Sequence, residues 1–553
     1  MSYKTFDGPD ARHAQRIRPA CIKEGSLYWL LSRYKELLFP AWLFVGFKGS
    51  SMWGRAAWPP AILMTLLVLR FSEEGMSRRA SVRQANRDLA WRAALGVPVD
   101  VNVPDEKTLR EFEQFLEQAH PTMGRARYEL AHEHLVGLCL KAGVVDSQNA
   151  NWGADGTNMF CYGAVSDAID LMGRGLLKLS RTWARATRQT SAQAARELEL
   201  GWLFDAKSIK GAFSIDWRDK TQKAQVVTRL AQNCMRCAQY VREHLATTRR
   251  GLRKTLLRSA KAILKVVRLD LEPRSDGLLQ ITQKTARERL VSITDLQARH
   301  GRKSHNKPFN GFKLAILGEL VSGLIVAVSV IAGNKDESHV AVRLIRRAKA
   351  LHQDFKQLLA DSAYGAMRIR VEASGCSDVE VVAPPPRLNR ARAQKAFGKH
   401  DFDVDFETMV ATCPDEHESS HWRFVKTSDG GVAPRFYWPR DGCAECALAD
   451  ECPSYKGRHQ ITLHTYEQLL RQVRADWELP KVRELYKKRC EYERLVHQMT
   501  RHGARRARAW GIAYARKQAH TIAMRCNLSL LARKLAELDE HEIIQILSFP
   551  ADS

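Results

Sequence analysis

Residues 323–331 read Gly-Leu-Ile-Val-Ala-Val-Ser-Val-Ile, an apolar run of strand length without a helical period. A run of this kind, rich in β-branched side chains and bounded by turn residues, is expected to be a buried strand. A second strand precedes it at residues 311–316. After it, Ser338 can cap a helix in which Ala341, Leu344, Ile345, Ala348 and Leu351 recur at helical spacing, with Arg343, Arg346 and Arg347 mostly outward. Residues 357–360 form a short strand ending at Asp361, and a helix runs from Tyr364. Residues 378–383 are a further strand, stopped by Pro384, Pro385 and Pro386. Hairpin, helix, strand, helix, strand is an α/β layout with a mixed sheet.

Outside this block the chain turns helical. Residues 26–140 read as a compact all-α unit, with an apolar run at 62–69, then 81–95, then 108–116 opening with the capping-box pattern Thr108-Leu-Arg-Glu111. Arg78, Arg79, Arg83 and Arg87 suit a helix-turn-helix DNA binder, although an ordinary solvated helix face has the same pattern. Residues 167–290 are helical and basic. They carry Arg181, Arg185 and Arg188, then Arg249, Arg250, Arg253, Lys254, Arg258, Lys261, Lys265 and Arg268, a set expected to line something anionic. Residues 387–480 break the regularity and hold four cysteines, and 480–538 are again helical and basic.

The 553 residues include 87 Lys plus Arg against 61 Asp plus Glu, a net charge of +26. Such an excess points to a polyanion, because each cation laid on a phosphate releases counterions, and nucleic acid is the leading partner class. A merely solubilising surface has mixed signs and a net charge of about 2–8 for a small domain. With 45% hydrophobic residues, disorder and collagen are excluded. The longest apolar stretch, 56–69, contains Pro59 and Pro60 and is shorter than the roughly 20 residues of a membrane span. It reads as a buried helix, so no membrane partner is expected. Residues 1–18 are polar with no apolar signal core, so a cytoplasmic location is expected. Twelve cysteines argue for thiols or metal ligands rather than a disulfide framework.

In α/β sheets reactive groups sit where strands end, so an acid after a short apolar strand and before a helix is a candidate ligand. Asp361, in Leu358-Leu-Ala-Asp361-Ser-Ala-Tyr364-Gly365, fits, and so does Asp155 in Ala154-Asp155-Gly156-Thr157. Asp146 rivals Asp155, since it follows a better apolar run. Glu493 is the third acid, within a helix. At about 100° per residue, Tyr486, Arg489 and Glu493 share one helical face, and the plain alternative for the last two is a surface ion pair.

These residues carry a resemblance. The chain is similar to DDE transposases of the bacterial insertion-sequence type. Residues 77–112 resemble the helical domain that precedes their catalytic cores. Asp155-Gly-Thr, with Ser166-Asp167 downstream, resembles the first catalytic strand and Asp361-Ser-Ala-Tyr-Gly the second. Tyr486-x2-Arg489-x3-Glu493 reproduces the Tyr-x2-Arg-x3-Glu signature, and Asn527-Leu-Ser-Leu-Leu the usual ending. One departure is Thr500, followed by Arg501, where the family often has Lys. The resemblance implies an RNase H-like mixed-sheet catalytic core with a helical N-terminal domain, a large basic helical insertion and a Cys-rich insertion. The domains are then a DNA-binding domain at 1–140, the first part of the core at 141–386 with a helical insertion at about 167–290, the Cys-rich insertion at 387–480, and the C-terminal part of the core at 481–553.

It further implies Asp155, Asp361 and Glu493 as catalytic ligands of Mg²⁺ or Mn²⁺, and phosphoryl transfer by a pair of ions about 3.5 to 4 Å apart. Transposon ends would be cut and the freed 3′-OH joined to target DNA. Tyr486, Arg489, Arg494, Arg501, Arg505, Arg506 and Arg508 would contact double-stranded DNA, both terminal inverted repeats and target. The chain would act as a homo-oligomer at the nucleoid. Alternatives are a catalytically inactive DNA-binding derivative and a non-transposing RNase H-like nuclease. Cys443-x2-Cys446-x5-Cys452 with Cys413 can close a tetrahedral structural Zn²⁺ site, with His417, His421 or His459 able to replace one ligand. Cys234 and Cys237 are read as ordinary thiols.

Overall fold

The computed structural model describes residues 22–47, 56–72, 74–304, 306–386, 397–427, 430–454 and 459–548. Residues 1–18, read above for a targeting signal, lie outside the described residues. The chain divides into two compact units. One comprises Met1–Ala150, Asp155–Val340 and Tyr492–Ser553, and the other Asn151–Ala154 and Ala341–Glu491.

The N-terminal region is helical: α1 (Leu27–Leu38), α2 (Pro60–Leu69), α3 (Arg78–Arg87), α4 (Leu89–Leu95), α5 (Glu106–Leu116) and α6 (Arg127–Lys141). Pro60 opens α2, where its missing N–H costs nothing, and every residue from Ala61 to Leu69 is buried, as an all-apolar helix requires. The 81–95 run is two helices rather than one. Asp88 leaves helical geometry, and its carboxylate caps α4 by accepting from the Ala90 and Trp91 N–H groups. Helix α5 begins before the expected capping box, because Asp105 is its N-cap and accepts from the Thr108 N–H at 2.7 Å.

Strand β1 (Trp152–Phe160) opens the sheet, and Asp155 is its fourth residue rather than its end. Helices α7 (Ala168–Thr187), α8 (Lys220–Glu243) and α9 (Arg250–Asp270) follow. Leu176, Trp183, Leu230 and Ile263 form a core among them. Cys234 and Cys237 belong to that core, and burial pushes the Cys237 thiol up to about 11. The sheet resumes with β2 (Arg299–Ser304), β3 (Lys307–Glu319), β4 (Ile325–Ala332), helix α10 (Ser338–Leu351), β5 (Gln357–Ala360), helix α11 (Met367–Ser377) and β6 (Glu380–Val382). The strand order is β2-β3-β1-β5-β6, with β4 also on β3. Pairings β2/β3 and β3/β4 are antiparallel, and β1/β5 and β5/β6 are parallel. The mixed α/β layout expected from residues 311–383 is the one the chain forms.

Local departures have local causes. The N–H of Ser338 is taken by Asp336 Oδ1 at 2.9 Å, so Asp336 does the capping assigned above to Ser338. Helix α11 begins at Met367 and not Tyr364, because Asp361 first closes a turn: its Oδ1 accepts from Ala363 N–H and its carbonyl from Tyr364 N–H. Asp378 takes a left-handed conformation (φ 49°) at the end of α11, which shortens the last strand.

The C-terminal region is not one helix. Helix α12 (Tyr492–Met499) runs into a wide turn at Thr500–Ala504, and α13 (Ile512–Leu535) follows. Gly503 takes φ 92°, and a Cβ there would lie 2.6 Å from the Glu74 carbonyl oxygen, so glycine is required. Asn527 on α13 acts as a peptide mimic: Oδ1 accepts from the Ile325 N–H at 3.0 Å and Nδ2 donates to its carbonyl at 2.8 Å, fixing the start of β4.

A buried charge cluster ties this region to the N-terminal helices. The Glu113 carboxylate meets Arg70 at 2.7 Å, Arg78 at 2.8 Å and Lys517 of α13 at 3.4 Å. Burial alone would raise the Glu113 carboxyl, but the Arg78 hydrogen bonds and the charges of Arg70 and Lys517 hold it below the usual carboxylate range. Stability from a depressed carboxylate is complete above its unfolded value and disappears as the pH falls through the folded one. Glu113→Gln leaves two buried cations poorly matched and is expected to cost about 3–5 kcal/mol in urea unfolding at neutral pH. The difference from wild type should shrink as the pH falls from the ordinary carboxylate range down through the lowered folded-state value of Glu113.

Candidate functional site

The boundary between the two units falls inside β1, after Ala154. In the parallel β1/β5 pair, Gly153 is opposite Leu359 and Ala154 opposite Ala360. The next residue on each strand is an aspartate, Asp155 and Asp361, so the ladder itself sets them side by side. One carboxylate oxygen from each of Asp155, Glu337 and Asp361 lies within 4.8 Å of the others, the one such group of His, Cys, Asp or Glu ligands among the described residues. All three are half-buried. Oxygen donors with no His or Cys among them suit a hard divalent cation.

Glu337 was not singled out from the sequence. The signal was present, since Asn334-Lys335-Asp336-Glu337 follows strand β4 and precedes α10, the same placement that marked Asp361. The Glu337 carboxylate rests on the backbone of Gly156, where a Cβ would come within 2.3 Å of both its oxygens. Gly156 in the Asp155-Gly-Thr motif is thus the space that the third carboxylate occupies. Lys313 Nζ, 3.8 Å from Glu337 Oε1, offsets part of the negative charge. Asp146 lies instead in an exposed turn, bonded to Gln148 N–H and Asn149.

Glu493 is exposed in the first turn of α12 and is not one of the three clustered acids. Its neighbour Tyr492, which sequence reasoning passed over, is buried, and the hydroxyl reaches the carbonyls of Asp155 at 2.7 Å and Ile316 at 3.2 Å. Tyr486 ends the helix Pro480–Lys487 against the Trp477 ring, and Arg489 follows in a tighter turn at Lys488–Glu491. The helix changes character there, so the single continuous face expected for Tyr486, Arg489 and Glu493 is not kept.

The remaining cations divide by what they touch. Arg494 holds the β3–β4 turn through the carbonyls of Leu320 and Val321. Arg508 binds the Glu74 carbonyl. Arg505 Nη1 donates to Thr157 Oγ1 at 2.9 Å, two residues along β1 from Asp155. Arg501, Arg505 and Arg506 are exposed.

The second unit contains a three-stranded antiparallel sheet of His421–Lys426, Val432–Tyr437 and Gln460–Thr462 over Phe402, Phe436 and Trp438. Beside it Cys413, Cys443, Cys446 and Cys452 line one cavity of about 140 Å³, with His417 and Trp438 in its wall. Trp438 Nε1 and Cys413 N–H both donate to the His417 carbonyl, which shapes the loop. Burial and the three neighbouring thiols push the Cys443 thiol up. Of the three histidines named as substitutes, His417 lines this cavity, 4.0 Å from Cys413 Sγ, whereas His421 is stacked on Tyr437.

Residues 42–115 match a family model described as Transposase domain (DUF772), and residues 412–532 one described as Transposase DDE domain. Over these two segments the chain is similar to insertion-sequence DDE transposases. Neither a curated protein nor a solved structure matches it. The second match takes in the four clustered cysteines, Glu493 and most of α13, while Asp155, Glu337 and Asp361 lie outside both. Glu113 with Arg70 and Arg78 falls in the first match and Lys517 in the second, so the buried cluster joins the two matched segments.

Three carboxylates held together repel one another, and removing one charge relieves that strain while removing a ligand. Glu337→Gln is expected to raise the melting temperature in EDTA relative to wild type and to abolish the further rise that millimolar Mn²⁺ gives wild type. Gly156→Ala, which displaces only the end of the Glu337 side chain, should keep the fold and lose the Mn²⁺ response in the same thermal scan.

Proposed function

We propose that this transposase cuts DNA at the ends of its element and joins the freed 3′-OH to target DNA, on an RNase H-like core. The observation that carries the reading is the convergence of Asp155, Asp361 and Glu337 at the edge-to-edge meeting of two parallel strands in a chain of this family. The sheet order, with antiparallel pairs β2/β3 and β3/β4 and parallel pairs β1/β5 and β5/β6, supports the core assignment.

Asp155, Asp361 and Glu337 would hold Mg²⁺ or Mn²⁺, which when bound activates the attacking oxygen and stabilises the leaving one. Glu493, next to the tyrosine bonded to the Asp155 carbonyl, would supply the family's third catalytic carboxylate from α12. In the first step water attacks the phosphorus at the element's end and the 3′-oxygen leaves as a hydroxyl. In the second that hydroxyl attacks a target phosphodiester, one P–O bond forming as another breaks, so no ATP is needed. Arg489 and Tyr486 would hold the backbone near the cut, the guanidinium by paired hydrogen bonds. Arg501, Arg505, Arg506, Arg508 and Arg494 belong to the proposed DNA-facing set, with Arg494 and Arg508 also bracing the fold. The partners are terminal inverted repeats and target DNA at the nucleoid, met as a homo-oligomer.

Cleavage of DNA carrying the element's own ends is expected in Mg²⁺ for wild type, with a drop of at least about 100-fold for Asp361→Ala, Asp155→Ala and Glu493→Gln while DNA binding persists. Wild-type protein that binds the ends and cuts nothing in Mg²⁺ or Mn²⁺ would leave the non-catalytic DNA-binding derivative. Nicking without end specificity would leave the non-transposing nuclease.

The four cysteines further support a structural zinc. Two thiols separated by two residues and two more from the same cavity wall are a donor set of Zn²⁺ type. Purified protein should carry one zinc per chain by elemental analysis, and Cys446→Ser should lose it together with part of the stability of the second unit.

A further inference from the structure

We infer that the far end of β1 carries a stacking platform for unpaired nucleotides, built from Phe160, Tyr162 and Trp510 and framed by Arg505 and Arg506. The inference rests on the DNA-processing reading above and assigns it a second contact, apart from the carboxylates.

The segment after α12 is laid along the end of β1. Phe160 N–H donates to the Arg505 carbonyl at 2.9 Å, and Ala507 N–H donates to the Phe160 carbonyl at 2.8 Å, so Arg506 pairs in parallel with Phe160. This small ladder brings Trp510 to Tyr162, with ring centroids 6.0 Å apart. The rings are not core residues. Trp510 is 59% exposed, Tyr162 49% and Phe160 43%. Large apolar groups gathered on a surface mark a binding site.

The framing charges indicate the partner. Arg505 and Arg506 are exposed, Arg506 is paired with Phe160, and Arg505 is tethered to Thr157. Exposed aromatic rings beside backbone-binding cations are the arrangement by which single-stranded nucleic acid is held, because every base has a face to stack and every nucleotide a phosphate. Duplex DNA keeps its base faces covered, so the platform addresses nucleotides that have left the stack. Phe160 is five residues beyond Asp155 on one strand, about 17 Å at the rise of a strand. That spans about five base steps of 3.4 Å. The platform therefore holds bases a few nucleotides from the phosphate at the carboxylates, where strands part around a cut.

Binding of a fluorescein-labelled oligothymidylate and of a duplex of equal length, measured in EDTA so that cleavage plays no part, tests this. Trp510→Ala and Tyr162→Ala should weaken oligothymidylate binding by about 5- to 100-fold. They should leave its salt dependence and the duplex affinity unchanged, and Trp510→Phe should restore most of the loss. Arg506→Ala should instead lower the salt slope by about 0.7 for the single strand. Variants that hold the single strand as tightly as wild type overturn the proposal. So does a Trp510→Ala chain whose only change is its oligomeric state by light scattering, which would make the rings a contact between copies. A wild-type chain that binds neither DNA overturns the transposition reading along with this one.

Discussion

The pairing of Ala154 with Ala360 is the constraint on which the site depends. Those two small buried residues close a parallel ladder between strands some two hundred positions apart. Parallel neighbours in register advance together, so a ladder that aligns two alanines must also align the aspartates that follow them. No long side chain has to reach across a gap to bring Asp155 and Asp361 together, and β-sheet hydrogen bonding does it at the level of the backbone. A slip of one residue would turn one aspartate to the opposite face. Gly156 completes the arrangement by leaving out a side chain, which admits Glu337.

Around that ladder the first unit is stitched from distant segments. Helix α13 does much of this work: Asn527 replaces the strand neighbour that β4 lacks on its outer edge, and Lys517 enters the buried cluster of Glu113. The two segments with recognisable transposase character meet in that cluster. A carboxylate buried with three cations leaves an excess of positive charge in a low-dielectric surrounding, tolerable because Glu117 also reaches Lys517 at 2.6 Å. Such a network gives little net stability over an apolar core of the same volume, but it fails heavily when one member is removed. It makes the packing of the N-terminal helices on α13 nearly all-or-none.

The layout of the sheet was legible because its strands are short apolar runs punctuated by helices, and Asp361 because an acid interrupts such a run. The mid-strand position of Asp155 was not, since β1 reads Trp-Gly-Ala-Asp-Gly-Thr-Asn-Met-Phe, too polar to resemble a buried strand until its neighbours on both sides are known. Glu337 is less legible, because Asp336-Glu337 also reads as the ordinary acidic start of helix α10. Local chemistry explains the smaller misses: Asp88 splits a helix by capping, and Asp105 and Asp336 take capping roles that Thr108 and Ser338 were expected to fill. The platform rings were invisible in principle. Phe160, Tyr162 and Trp510 are adjacent only because a three-residue ladder folds the 505–507 backbone against β1, and no pattern in either segment announces it.

The charge distribution gives the site its logic. The chain carries +26 overall, yet its three closest carboxylates put up to three negative charges within 4.8 Å, with Lys313 beside one of them. Cations along the helices can draw DNA to the surface from a distance. The same backbone phosphate that the surface attracts is repelled at the centre, because adding it to three carboxylates only raises the local negative charge. A divalent cation would offset most of that charge, so in the proposed reaction phosphate and cation would bind the centre more strongly together than either alone, and the coupling would be reciprocal. In the proposed reaction, attraction at the surface and refusal at the centre would together keep DNA held uncut until the metal is bound. On that reading, finding DNA falls to the arginines and lysines, and reacting with it to the site that the register of two strands sets.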